Sequence, residues 1–226
     1  MTVSVTGARR VLVGSLAAII GIMLSAPANA TPINLPTTTP PPGSITIDVV
    51  TVNGSGCKPG TAAVALSPDN QAFTVTYSEY SAAVGVGTSP LDFRKNCQIN
   101  VKVNVPGGFT YAVAEADYRG YGFLEKGATA KLTTSLYFQG LSETLRATHN
   151  YKGSMDDYWQ ATDSAEVAAL VWQPCGEKRL LNVNTALQVS AGTSDPKKTT
   201  SLFTMDSTDG SVTTLYHFAW DKCPKK

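Results

Sequence analysis

The chain has 226 residues, 42% of them hydrophobic, and sets 18 basic side chains against 17 acidic ones for a formal charge of +1. That length suits one domain with a full-sized core. The near-neutral balance gives no electrostatic footing for nucleic acid or for an anionic membrane surface.

Met1 to Ala30 reads as a secretory signal, with Arg9-Arg10 as a positive n-region, Val11 to Leu24 as an apolar h-region and Ala28-Asn29-Ala30 as a small-x-small cleavage site. The apolar run is too short for a spanning helix. The arginine pair leaves a twin-arginine route open beside the general one. Cleavage near Ala30 removes two basic residues and no acid, which leaves the secreted chain one charge negative. With no second apolar stretch to insert in a membrane, the expectation is a freely secreted, extracellular monomer.

Residues 31–43 form a proline- and threonine-rich tract without apolar period, expected as an extended spacer ahead of one domain over residues 44–226. Ile45, Ile47 and Val49 then alternate in a first strand. Thr61 to Leu66 and Ala72 to Tyr77 make a hairpin about Ser67-Pro68-Asp69-Asn70, and Tyr80 to Val86 is ambiguous. The clearest strand is Cys97 to Val105, where Ile99, Val101, Val103 and Val105 alternate with polar residues until Pro106-Gly107-Gly108 ends it. Phe109 to Tyr118 alternates next, placing Tyr111, Val113, Glu115 and Asp117 on one face and an alanine-rich set on the other. Arg119 to Gly122 looks like a bulge or bend.

Ala128 to Phe138 reads as a further strand, and Gly140 to Asp163, polar and poor in β-branched residues, as a long loop with one helical turn. Val167 to Trp172 is a short apolar run that ends at Pro174 and reads as a strand in competition with a short helix. Leu181, Val183, Thr185, Leu187 and Val189 give a second clean alternation, and Ser201 to Met205 with Ser211 to Trp220 a closing hairpin about residues 206–210. About nine short strands between Gly, Pro, Asn and Asp turns predict an all-β fold, an antiparallel two-sheet β-sandwich with one long loop. Cys57, Cys97, Cys175 and Cys223, an even number in an exported chain, predict two disulfides. Three pairings are open; Cys57–Cys97 with Cys175–Cys223 is preferred, because each joins strand ends that are close in the chain.

Several segments stand out as a set: the Asn53-Gly54-Ser55-Gly56-Cys57-Lys58-Pro59-Gly60 turn, Phe73 to Tyr80, Arg94-Lys95-Asn96-Cys97-Gln98-Ile99, Asp117-Tyr118-Arg119-Gly120-Tyr121 and Trp172-Gln173-Pro174-Cys175. Together they resemble the domain-of-unknown-function 4360 family of small secreted proteins, over nearly all of residues 44–223. The resemblance implies a secreted, disulfide-bearing domain and brings no activity, cofactor or catalytic residue with it.

The chemistry visible in the residues is sparse. There is no Gly-x-Ser-x-Gly elbow for a serine hydrolase. Of the two histidines, His217 reads as structural, and His149 serves as a base only if a serine and an acid fold onto it. No Cys-x-x-Cys pair is present and the histidines are far apart, so neither a metal nor any other cofactor is expected. Asp156-Asp157 and Asp206 with Asp209 offer calcium-type oxygens without an EF-hand spacing. Glu115 and Asp117, two apart on one strand, have the separation a glycosidase pair needs, and Arg119 offers the plainer reading of an ion-pair row. Tyr118, Tyr121, Phe123, Tyr158 and Trp159 lie near glycine-rich or loop segments, where exposed rings can stack on sugars beside Asp117 and Arg119.

The leading expectation is therefore a non-catalytic extracellular binding module for carbohydrate or a surface protein, with Asp117, Arg119, Tyr121, Tyr158 and Trp159 as its candidate binding residues. The alternatives are a secreted hydrolase built on Glu115 and Asp117 and an inhibitor-like effector acting through the Gly140 to Asp163 segment.

Overall fold

The computed structural model describes residues 38–205 and 213–224. The signal-like segment 1–30, the first half of the Pro/Thr tract and the turn at residues 206–210, with Asp206 and Asp209, lie outside the described residues.

Among the described residues twelve strands follow in order: β1 (Thr46–Asn53), β2 (Ala62–Leu66), β3 (Ala72–Tyr77), β4 (Ser81–Gly85), β5 (Arg94–Asn104), β6 (Phe109–Leu124), β7 (Thr129–Phe138), β8 (Leu145–Lys152), β9 (Met155–Ser164), β10 (Leu181–Ser190), β11 (Thr200–Thr204) and β12 (Thr213–Lys222). All pairings among them are antiparallel. One sheet runs β1-β5-β10-β7-β8; the other has seven strands, built around β6. The pairings give β12 the first part of one edge of β6 and β11 the last part, while β9 runs along the opposite edge. The expected all-β, two-sheet sandwich is what the chain forms.

The clean alternations behave as their pattern requires. Ile99, Val101 and Val103 on β5 are at most 5% exposed, and Val105 packs against the same core. On β10 the five alternating residues from Leu181 to Val189 are all buried. Thr185 among them meets the Tyr80 hydroxyl at 3.0 Å, so two polar groups deep in the sandwich satisfy each other. Phe73, Tyr111, Tyr216, Phe218 and Trp220 supply the facing layer, with Phe73 stacked on Tyr216 at 4.7 Å. The hairpin turn at residues 67–70 sets Asn70 at φ +61°, a left-handed conformation that asparagine tolerates. The Asn70 carbonyl accepts from the Trp220 indole at 2.9 Å, and its side-chain amide donates to the Pro41 carbonyl, which holds the end of the Pro/Thr tract against the domain. Disulfides join Cys57 to Cys97 and Cys175 to Cys223.

Four local readings are corrected. The Gly140 to Asp163 stretch is no long loop with a helical turn; most of it is β8 and β9. β8 exposes every second residue, and its half-buried positions are Leu145, Ala147, His149 and Tyr151, a set too mixed to register as an apolar alternation. Val167 to Trp172 is not a strand: Val167–Ala169 is one turn of 3₁₀ helix, and the residues after it cross the outside of the seven-stranded sheet. Among the described residues β11 and β12 do not pair with each other as a hairpin, since β11 pairs with β4 and β6 and β12 with β3 and β6. The bend expected at Arg119 to Gly122 is absent, because β6 runs through to Leu124. Its irregularity comes earlier, at Ala114. Among the described residues no helix is long and apolar enough to cross a membrane.

Candidate functional site

The irregularity in β6 decides which side chains reach the surface. His217 of β12 sits opposite Glu115 and Phe218 opposite Val113, so Ala114 is an extra residue in the ladder. Before it, Tyr111 and Val113 face the main core; after it, Ala116 and Tyr118 do. A regular strand would have carried Glu115 and Asp117 inward behind Tyr111 and Val113. The bulge turns them out.

Thr110, Ala112 and Ala114 take the outer face before the bulge, where they are covered. Ala112, Ala114 and Ala219 pack beneath Leu170 and Trp172 of a strap over residues 165–175. The strap is pinned by Ala165 N–H to the Ala114 carbonyl at 2.9 Å, by Gln173 N–H to the Tyr111 carbonyl at 2.9 Å, and by the Cys175–Cys223 bridge. The small alanine side chains permit that close approach, so the alanine-rich face is a packed one, under the strap.

Past the strap the outer face opens. His217, between the inward Tyr216 and Phe218, points out with Glu115 opposite and Asp117 diagonal to it. Its Nε2 lies 3.3 Å from Asp117 Oδ2 and 3.9 Å from Glu115 Oε1. Thr162 on β9 donates its hydroxyl to Asp117 Oδ1 at 2.6 Å. Farther along, Arg119 is exposed opposite Gln160, and Tyr121 faces Tyr158 with the rings edge-on, centroids 5.6 Å apart. Tyr158 is 64% exposed and Phe123 lies partly open on the same face. Tyr121 donates its hydroxyl to Asp156, and that bond holds the phenol above its ordinary range. Asp157 accepts from the Tyr158 amide, so both aspartates are engaged within the strand pair.

Of the candidate binding residues, Asp117, Arg119, Tyr121 and Tyr158 thus share one surface. Trp159 does not: β9 alternates, and Trp159 faces inward at 5% exposure, stacked on Phe203 at 4.7 Å. Tyr118 is likewise sealed in the core.

Residues 43–223 match the family model described as Domain of unknown function (DUF4360). The chain belongs to this family. A relative described as an uncharacterized secreted protein, from Arthroderma benhamiae (strain ATCC MYA-4681 / CBS 112371), is 36% identical over 184 residues, which is 81% of this chain and 74% of the relative. Two solved structures match the chain at low similarity. A carbohydrate-binding module, TmCBM61 in complex with β-1,4-galactotriose, gives a TM-score of 0.29 at 11% identity, over 80% of this chain and 90% of that one. The enzymatically active domain of bacteriophage CBA120 tailspike protein 4 gives 0.20 at 8% identity, over 80% and 20%. Neither likeness is close enough to bear on what this DUF4360 chain does.

A second polar group in this DUF4360 domain lies where β6 and β9 meet β7 and β8, beside a cleft of about 280 Å³ whose walls include Val113, Leu136, Leu145 and Asp163. His149 Nε2 stands 2.6 Å from Asp163 Oδ1, and Thr134 donates to Asp163 Oδ2 at 2.6 Å. The acid sits between the hydroxyl and the imidazole. A nucleophile needs the imidazole on the hydroxyl, so this order ties strands together instead of activating Thr134. The sequence offers Glu115 with Asp117, and His149 alone; His217 joins the first only through the β6–β12 pairing, and Asp163 joins His149 only where the two sheets meet. The signal that was available for the first is the outward phase of His217 between Tyr216 and Phe218.

Proposed function

We propose that this chain is a non-catalytic extracellular binding module that takes carbohydrate on the open outer face of its seven-stranded sheet. The observation that carries the reading is the Tyr121–Tyr158 pair, a half-buried ring edge-on to an exposed one on the β6–β9 strand pair, with Arg119 and Gln160 beside it. Ring faces take the apolar C–H face of a sugar, while guanidinium and amide groups take its hydroxyls. The two disulfides and the secreted relative support an extracellular setting.

The hydrolytic alternative is less well supported. A general acid is kept protonated by an apolar surrounding, whereas Glu115 is 40% exposed and both oxygens of Asp117 face Thr162 or His217. Pull-down of the purified chain on insoluble polysaccharides and cell walls, followed by affinity electrophoresis in soluble glycans, tests the proposal. Retention on at least one glycan is expected, weakened by about thirtyfold in Tyr158→Ala if the ring is an anchor worth about 2 kcal/mol. Retention on walls that disappears when their protein is stripped by protease would transfer the reading to a surface protein. No retention on any glycan, or release of reducing ends from one, would overturn it.

A further inference from the structure

We propose that Glu115, Asp117 and His217 form a binding site for a divalent transition-metal ion of the zinc class. One donor atom from each residue lies within 4.8 Å of the others, on two strands held in register by the β6–β12 ladder. Two ligands on a tetrahedral ion with bonds of about 2.0–2.1 Å stand about 3.3 Å apart. His217 Nε2 is 3.3 Å from Asp117 Oδ2 and 3.9 Å from Glu115 Oε1, so small rotamer adjustments bring the three donors onto one ion.

Three further observations favour an ion over a plain histidine–carboxylate contact. The Ala114 bulge is what delivers both carboxylates to this face. Among the described residues neither has a lysine or arginine partner, which leaves two negative groups side by side with only His217 between them. Thr162 holds Asp117 Oδ1 at 2.6 Å and leaves Oδ2 turned toward the histidine, the outer hydrogen bond that orients ligating carboxylates. One imidazole nitrogen with two carboxylate oxygens selects zinc, manganese, nickel or copper over calcium, which takes six or more oxygens. Three protein donors also leave a coordination position open. The site lies about 13 Å along β6 from Tyr121, four residues on, and does not depend on the carbohydrate reading.

Calorimetric titration of the metal-stripped chain with Zn²⁺, and absorption spectra with Co²⁺, provide the test. One ion per chain is expected, with visible ligand-field bands from Co²⁺ and a raised melting temperature. His217→Ala should abolish the bands and weaken binding at least tenfold, Glu115→Gln should weaken it with the far-ultraviolet circular dichroism unchanged, and His149→Ala should leave it intact. Failure to bind Zn²⁺ or Co²⁺, or binding that His217→Ala and Glu115→Gln leave undiminished, would overturn the assignment.

Discussion

Asp163 lies 2.6 Å from His149, and the two belong to different sheets. With Thr134 on its other oxygen, Asp163 links β9 to both β8 and β7 on the side where the sandwich opens into a cleft. Replacing it by alanine leaves the Thr134 hydroxyl and the His149 ring without their acceptor. Hydrogen bonds to a charged group contribute about 1.5–3 kcal/mol. Asp163→Ala is therefore expected to lower the unfolding free energy by at least that amount, read as a lower urea midpoint at unchanged slope, and to speed amide exchange on β8 before it does so on β10. A midpoint equal to that of the parent would show that the link is not stabilising.

Of the two glycines in β6, Gly120 leaves the less room for a side chain. A Cβ there would meet the Thr204 carbonyl oxygen at 1.8 Å and the Trp159 ring at 2.6 Å, and neither backbone nor a ring stacked on Phe203 can yield cheaply. At Gly122 the nearest atoms are the sulfur and terminal methyl of Met155 at 3.0 and 3.1 Å, the end of a flexible side chain. Gly120→Ala should cost about 3 kcal/mol or more, the upper end of overpacking effects, and shift the tryptophan emission. Gly122→Ala should cost clearly less. Equal melting temperatures for the two variants would contradict this account of the packing.

The strands most legible in the sequence are those with β-branched residues on one face, β5 and β10, because their inward positions meet a complete opposing layer. β8 was not legible. Its half-buried row lies at the margin of the core, with Leu145 and Ala147 on the cleft, His149 on Asp163 and Tyr151 against Trp159 and Phe203, so it carries a histidine and a tyrosine where a central strand would carry valine or isoleucine. Bulges defeat a period-two reading altogether: one residue, Ala114, reverses the face of everything after it on β6, and a shift between Val49 and Thr51 brings Val52 into the core after Ile47. Glu115 and Asp117 stand together on one face in the sequence, whereas the third member of their group, His217, comes from a strand a hundred residues on. Trp159 misled for another reason: the polar residues around it are the outward row of β9, while the tryptophan belongs to its inward row.

The two disulfides differ in access. Cys57 and Cys97 are buried in the core, whereas Cys175 is exposed at the end of the strap. Thiolate attack requires access, so mild reductant should open Cys175–Cys223 first. Its loss frees the strap that covers Ala112, Ala114 and Ala219. In a Cys175→Ser, Cys223→Ser variant, acrylamide quenching of Trp172 should rise while the sheets persist. Cys57→Ala with Cys97→Ala removes a cross-link spanning 40 residues, expected to cost about 4 kcal/mol by chain entropy. Opening of the core bridge before the strap bridge would refute this order.

Strong alkali should unfold the protein through its tyrosines. Tyr77, Tyr80, Tyr111, Tyr118 and Tyr216 are at most 3% exposed, and burial pushes each phenol far above the ordinary value of 10.0. Half-buried Tyr151 is pushed up to about 12, first by burial and then by the charge of Asp163. Below pH 10 these groups hold their protons in both folded and unfolded chains, and their contribution to stability is constant. Above it the unfolded chain releases protons that the folded one retains, so stability falls continuously as pH rises toward the folded-state values. Phenolate absorbance and far-ultraviolet circular dichroism followed together should show most of the nine tyrosines ionising in one step with the loss of sheet signal. A reversible titration of all of them near pH 10 with the sheets intact would mean that these rings are not sealed between the layers.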